Sequence, residues 1–170
     1  MSDEGRMLAE IHAARGLMRV SAPARTVGHS ALWAHATREP GEPVDFSVVR
    51  ALRTDLDTAQ RYRTMLGAQA LAYAPVAAAA SDGAIARRRI GAFELEILPA
   101  DGDAPPLLVL RGTEAKTPRM IEAWLGDEMV RLDLGAPADG TILLALDPAV
   151  PDALELGRML RDPACAVFLL

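Results

Sequence analysis

The chain is poor in the residues that most often announce chemistry. Among 170 residues it carries one cysteine, three histidines, two tryptophans, two tyrosines and three phenylalanines. A lone cysteine excludes an internal disulfide. Set in the apolar run from Ala164 to Leu170, Cys165 reads as a small buried hydrophobe in a reducing, cytoplasmic setting. Lys116 is the only lysine beside seventeen arginines, and it follows Glu-Ala rather than a glycine run, which excludes a phosphate loop. The sequence opens M-S-D-E-G with no apolar stretch behind it, so no secretory signal is expected. A charge-free segment from Met65 to Ala80 is too short to span a bilayer and is broken by Gly67 and Pro75. It predicts a buried helix with its exit loop and no membrane contact.

Convergent catalytic groups are missing as well. Gly28-His29-Ser30 starts like a nucleophile elbow, but Leu32 stands where the closing glycine belongs and no apolar strand precedes it. His12, His29 and His35 lack i, i+4 spacing and have no cysteine nearby, so no metal is expected and the imidazoles read as surface or partly buried groups. Glu94 with Glu96 form one side of a strand, and Asp101 with Asp103 fall in a loop. A solvated face and turn chemistry account for the two pairs. The expectation is a protein that is not an enzyme, with no catalytic residue and no cofactor.

Charge is unevenly placed. Residues 1 to 89 hold twelve arginines against nine acidic residues, and residues 90 to 170 hold six basic against fourteen acidic. The acidic half disfavours a phosphate-backbone partner. The Arg87-Arg88-Arg89 run has no aromatics interleaved and reads as a solvated face or a docking contact to the acidic half, so nucleic-acid binding is not expected.

What is present is best specified between Pro118 and Leu134. Two runs of period-two alternation flank Gly126-Asp127, the signature of a two-residue hairpin. That register sets Leu125 opposite Glu128, Trp124 opposite Met129, Ala123 opposite Val130, Glu122 opposite Arg131, Ile121 opposite Leu132 and Met120 opposite Asp133. Ile121, Ala123, Val130, Leu132 and Leu134 then form one apolar face toward a core. The other face pairs Glu122 with Arg131 and also carries Met120, Trp124 and Met129, which need a cover from this chain or from another protein.

Helical spacing dominates the first half. Asp3 caps a stripe of Met7, Ile11, Ala14 and Met18 that calls for a partner helix. Ser30 reads as the cap of a short helix with Leu32, Trp33 and Ala36. Asp45 caps the next, with Phe46, Val49, Leu52 and Arg53 on one side. Asp55 offers a further cap before Leu56, Ala59, Tyr62 or Arg63, and Leu66, leaving residues 45–75 as one long helix or two. In the second half, strands are expected at Phe93 to Ile97, Leu107 to Leu110, in the hairpin, at Thr141 to Leu146 with both faces buried, and in the apolar tail. A helix carrying Leu156, Met159 and Leu160 precedes Pro163. The fold class is therefore α+β. A helical region, 1–86, is followed by an antiparallel-rich β module, 87–170, a sandwich or sheet of about six strands with one late helix.

A-L-W-A-H-A, followed after a Pro/Gly turn by V-V-R-A-L-R-T-D-L-D-T-A-Q-R-Y-R-T-M-L, resembles the helical N-terminal region of bacterial anti-sigma factors over residues 31 to 66. The zinc-binding H-x-x-x-C-x-x-C and the membrane span that many of those proteins carry are absent here. The resemblance implies a helical surface that holds a transcription factor inactive. Together these readings predict a non-enzymatic protein-interaction module, a regulatory adaptor or assembly subunit. Met120, Trp124, Met129, Trp33 and Arg53 are its candidate partner-binding residues, and self-association is left open. The competing reading is a small-ligand or enzyme-accessory module with a pocket between the two halves near Arg87 to Arg89.

Overall fold

The structure is a computed structural model that describes residues 26–75, 85–112 and 116–170. The helix expected from Met7 to Met18 lies outside them. Three helices come first: α1 (His29–Ala36), α2 (Phe46–Thr54) and α3 (Leu56–Gln69). Strands β1 (Ala72–Ala74), β2 (Arg87–Ile90), β3 (Phe93–Leu98), β4 (Leu107–Gly112), β5 (Met120–Leu125), β6 (Glu128–Asp133) and β7 (Thr141–Ala145) follow. Helix α4 (Pro151–Leu160) and strand β8 (Ala166–Leu169) complete the described chain. The class is α+β, with both sheets antiparallel. One runs β1-β8-β5-β6 and the other β2-β3-β4-β7.

The β5–β6 hairpin pairs Met120 with Asp133 through Leu125 with Glu128, the register that alternation and turn chemistry dictate. Gly126 sits at φ +64, a conformation that a residue with a Cβ rarely adopts. Period two then sends Ile121, Ala123 and Val130 into the space between the sheets. There they meet Leu95, Ile97, Leu108, Leu110 and Ile142 from the second sheet and Leu156, Met159 and Leu160 from α4. Cys165 is buried in the same core, which pushes its thiol above the usual range.

The helices cover the opposite face of the first sheet. Leu32, Val48, Leu52, Ala59, Tyr62 and Leu66 pack on Trp124, Met129, Ala166 and Phe168. The break at Thr54-Asp55 is real. The Asp55 carboxylate accepts from the Asp57 amide at 3.2 Å, so residues 46–69 form two helices, each started by an aspartate.

Several elements differ from the sequence expectation. Helix α1 starts at His29 behind Gly28, with no side-chain cap, so Ser30 does not initiate it. In α2, Val48 and Leu52 face inward while Phe46 is 81% exposed, a phase shift of one position from the stripe read on the sequence. The charge-free segment stops being helical at Gln69, and Ala72–Ala74 adds an edge strand to β8. The arginine run is itself a strand, so eight strands are described rather than six. Strand β7 is an edge with Leu143 55% exposed, not a strand buried on both faces.

Alternation explains how β2 carries three arginines. Arg87 lies outside with Glu94 and Glu96 at 3.2 and 2.9 Å, an exposed cross-strand ladder of small energetic weight. Arg88 points inward and donates to the carbonyls of Leu160, Asp162 and Cys165, satisfying the last turn of α4 and the loop after it.

Candidate interaction surface

Two layers build this surface, a polar joint beneath the helices and the groove above it. The joint grows from the outer face of the β5–β6 hairpin. Glu122 is fully buried there. Its carboxylate accepts from Trp124 Nε1 at 2.7 Å and from the Tyr62 hydroxyl at 3.1 Å, and the Arg131 guanidinium lies 3.5 Å away. Burial pushes the Glu122 carboxyl above its ordinary range, with the Arg131 charge and the two donors pulling it down. Burial likewise pushes the Tyr62 phenol upward, and the facing Glu122 adds to that.

Arg131 joins strand to helix. It donates to the carbonyls of His35 at 2.7 Å, Ala36 at 3.3 Å and Arg38 at 3.3 Å, so the C-terminal end of α1 is pinned to β6 by one guanidinium. His35 is buried beside it, its ring 5.5 Å from that of Tyr62, with neither ring nitrogen hydrogen-bonded to protein. Burial, then the charges of Arg131 and Arg38, lower its pKa to about 4, so the imidazole is neutral near pH 7. Arg63 lies over the Trp124 ring, 5.2 Å from its centroid.

The five candidate partner-binding residues therefore separate. Trp124 is 1% exposed, and Met120 and Met129 are buried with it. Their cover is α1 to α3 of the same chain, which corrects the expectation that a partner protein meets these three residues. Arg53 is exposed at a second place, a concavity it shares with Asp127, Glu128, Met129, Asp152 and Glu155. Of the five, only Trp33 presents an aromatic face outward, 43% exposed and stacked on His29 with ring centroids 6.4 Å apart. Helical spacing produces both results: Leu32 and His35 turn toward the sheet, while His29 and Trp33, one turn apart, share the outer side.

Between α1 and α3 runs an open groove of about 480 Å³ whose walls include Trp33, Leu32, Met65 and Ala68, with His29, Arg61, Thr64 and Gln69 at its rim. Its floor belongs to the helical core, since Leu32 and Leu66 are closed off beneath it. The sequence singled out Trp33 but not the groove, because Met65 and Ala68 meet Trp33 only when α3 packs on α1.

The Arg87 to Arg89 strand lies in the second sheet, while the helices pack on the first. The concavity beside it is lined by Arg89, Gly91, Ala92, Phe93, Glu94, Arg111 and Gly112, all from β2 to β4 and their turn. Among the described residues, the walls of this concavity thus come from the second sheet and not from the helices. Among the described residues no group of three or more His, Cys, Asp or Glu is arranged to hold a metal ion, and no helix is long and apolar enough to cross a membrane. Comparison with protein-family models, with curated proteins and with solved structures found no match.

Proposed function

We propose that this chain is a non-enzymatic protein-interaction module whose binding surface is the outer side of the helical layer, centred on Trp33. The observation that carries this reading is the open, largely apolar groove between α1 and α3 with a half-exposed tryptophan on its wall. Trp is the residue most enriched among interface anchors, and a groove between two helices suits an amphipathic partner helix that lays an apolar ridge into it. Arg61 at the rim favours acidic residues flanking that ridge.

The strongly perturbed groups support a binding rather than a catalytic role. Glu122, Tyr62 and His35 are buried between the helices and the sheet, and the bonds of Glu122 to Tyr62 and of Arg131 to the His35 carbonyl hold α3 and α1 in place. The resemblance to anti-sigma factors covers residues of α1, α2 and α3. A segment of a transcription factor is the partner it implies, and a subunit of a larger assembly is the broader class.

The test is an affinity purification of the tagged chain and its Trp33→Ala variant from source cells, with the recovered proteins identified by mass spectrometry. Trp33 is 43% exposed on the outer side of α1, so the variant should stay folded, at a cost of about 1 kcal/mol. It should lose at least one stoichiometric partner. Identical recoveries from both chains reject the groove as the interface.

A further inference from the structure

An edge strand presents unpaired N–H and C=O groups to any chain that can add a strand beside it. Among the described strands, three of the four edges resist such pairing. Strand β1 is three residues long, β2 is three arginines and an isoleucine, and β6 holds Glu128, Arg131 and Asp133. Strand β7, Thr141-Ile142-Leu143-Leu144-Ala145, holds no charge, proline or glycine. Two sets of bonds fix which of its backbone groups face outward. The Leu146 amide donates to the Pro106 carbonyl, in register with the β4–β7 ladder. Antiparallel pairing alternates, so Leu144 and Ile142 also bond to β4, while Thr141, Leu143 and Ala145 turn their groups the other way. Thr141 agrees, exchanging both of its bonds with Ala138, at 2.8 and 2.9 Å. Leu143 and Ala145 are left with their N–H and C=O groups on the open edge, and the Leu143 side chain is exposed above them.

We propose that β7 pairs antiparallel with β7 of a second copy of this chain, about a two-fold axis at Leu144, so that the two β2-β3-β4-β7 sheets join edge to edge. This contact is separate from the groove at Trp33 and does not depend on it.

The strand is its own complement in this register. Leu143 of each copy faces Ala145 of the other, and every exposed N–H meets an exposed carbonyl. Leu144 meets its counterpart on the axis in the closer, non-hydrogen-bonded kind of pair. Its side chain already packs partly buried against the core between the sheets, so the contact extends that core. Charge agrees. Thr141 lies opposite Asp147 of the second copy and, on its other side, opposite Arg111 of its own β4, so each Thr141 is flanked by opposite charges. A slip that moves the axis to Leu143 sets Asp147 against Asp139 of the second copy. It also calls on the Thr141 groups that Ala138 already occupies. The assembly closes at two copies, because the edge left at either end of the joined sheet is the arginine strand β2.

The measurement is sedimentation equilibrium of the whole chain across a wide range of concentration, in which the mass should rise from that of one chain to that of two and no further. Leu143→Lys should weaken the dimer about tenfold or more while circular dichroism and thermal unfolding stay near those of the parent, since the replaced side chain is exposed. Adding Ala145→Glu to that variant sets each new lysine opposite a new glutamate of the other copy and should restore the dimer. Under mild oxidation Leu144→Cys should give a disulfide-linked dimer and Leu143→Cys should not, Cys165 being buried in both. A single-chain mass at every concentration overturns the proposal, and so does a dimer that Leu143→Lys leaves intact. Failure of the lysine and glutamate pair to restore association, or linking through Leu143→Cys in place of Leu144→Cys, overturns the pairing about Leu144. Trp33→Ala should associate as the parent does. A dimer lost from Trp33→Ala and kept by Leu143→Lys puts the self-contact in the groove and overturns the pairing of β7, whereas loss of an outside partner from a still dimeric Trp33→Ala supports both sites separately.

Discussion

The two faces of the β5–β6 hairpin are built from alternate residues of the same twelve positions, yet they are joined to their neighbours by different physics. The inner face, with Ile121, Ala123 and Val130, meets the second sheet through apolar contact alone. The outer face meets the helices through Glu122, Trp124 and Arg131, whose polar atoms are tied to Tyr62 and to the carbonyls that end α1. Apolar burial is strong and tolerant of small displacements, whereas a buried carboxylate with two donors and a guanidinium admits few arrangements. The sandwich is thereby held together by area, and the helical layer is held at one angle and height by directional bonds.

The largest expected effect comes from breaking the polar side. Glu122→Leu removes the counter-charge of Arg131, leaves the Tyr62 hydroxyl and the Trp124 N–H without their acceptor, and should cost about 3 to 5 kcal/mol in chemical denaturation. Adding Arg131→Met to that variant removes the stranded charge. The double variant should recover part of the loss, short of the parent because α1 then lacks its carbonyl donor. A double variant as unstable as Glu122→Leu alone would show that the charge is not what the carboxylate serves.

A medium effect should follow acidification. The unfolded chain protonates His35 below about pH 6.5, while the folded chain resists until about 4. Between those values the unfolded state therefore binds more protons, and stability falls as pH falls. Arg131 and Arg38 oppose the imidazolium and Asp45 favours it. The full drop corresponds to roughly 3 kcal/mol. It should appear as the difference between the parent and His35→Leu measured from pH 7 to pH 4, in which the titration of Glu122 is common to both chains. Parallel curves would place the imidazole in contact with water.

The smallest effect belongs to the apolar side. Ile121→Val removes one methylene between the sheets and should cost about 1 kcal/mol without disturbing Trp33 binding, since no directional bond depends on it. A loss of binding in that variant would mean that the two faces are coupled through the sheet.

The sequence made the hairpin legible because Gly-Asp between two alternating runs allows few other registers, and it made α4 legible through Pro151, Pro163 and the spacing of Leu156, Met159 and Leu160. Strand β1 was hidden because Ala72 and Ala74 carry no strand preference of their own and continue a helical composition. Strand β2 was hidden because three arginines mask an alternation whose inward member, Arg88, is there to meet α4. For the candidate site, Trp33 stood out as an aromatic on a short helix. The fate of Met120, Trp124 and Met129 depended on whether α1 to α3 return to the sheet. That is decided by contacts over long sequence separations, which local pattern does not encode.

Strand β8 has one more implication. It lies between β1 and β5, pairing Ala72 with Leu169 and Ile121 with Leu169, and its Ala166 and Phe168 supply part of the bed on which the helices rest. Until that last strand is inserted, α1 to α3 have only half a platform. The β1–β8 pairing, which joins residues far apart in sequence, thus helps to complete the bed on which the helices rest. Shortening β8 should accordingly loosen the helical layer as well as the sheet, because one short strand serves both.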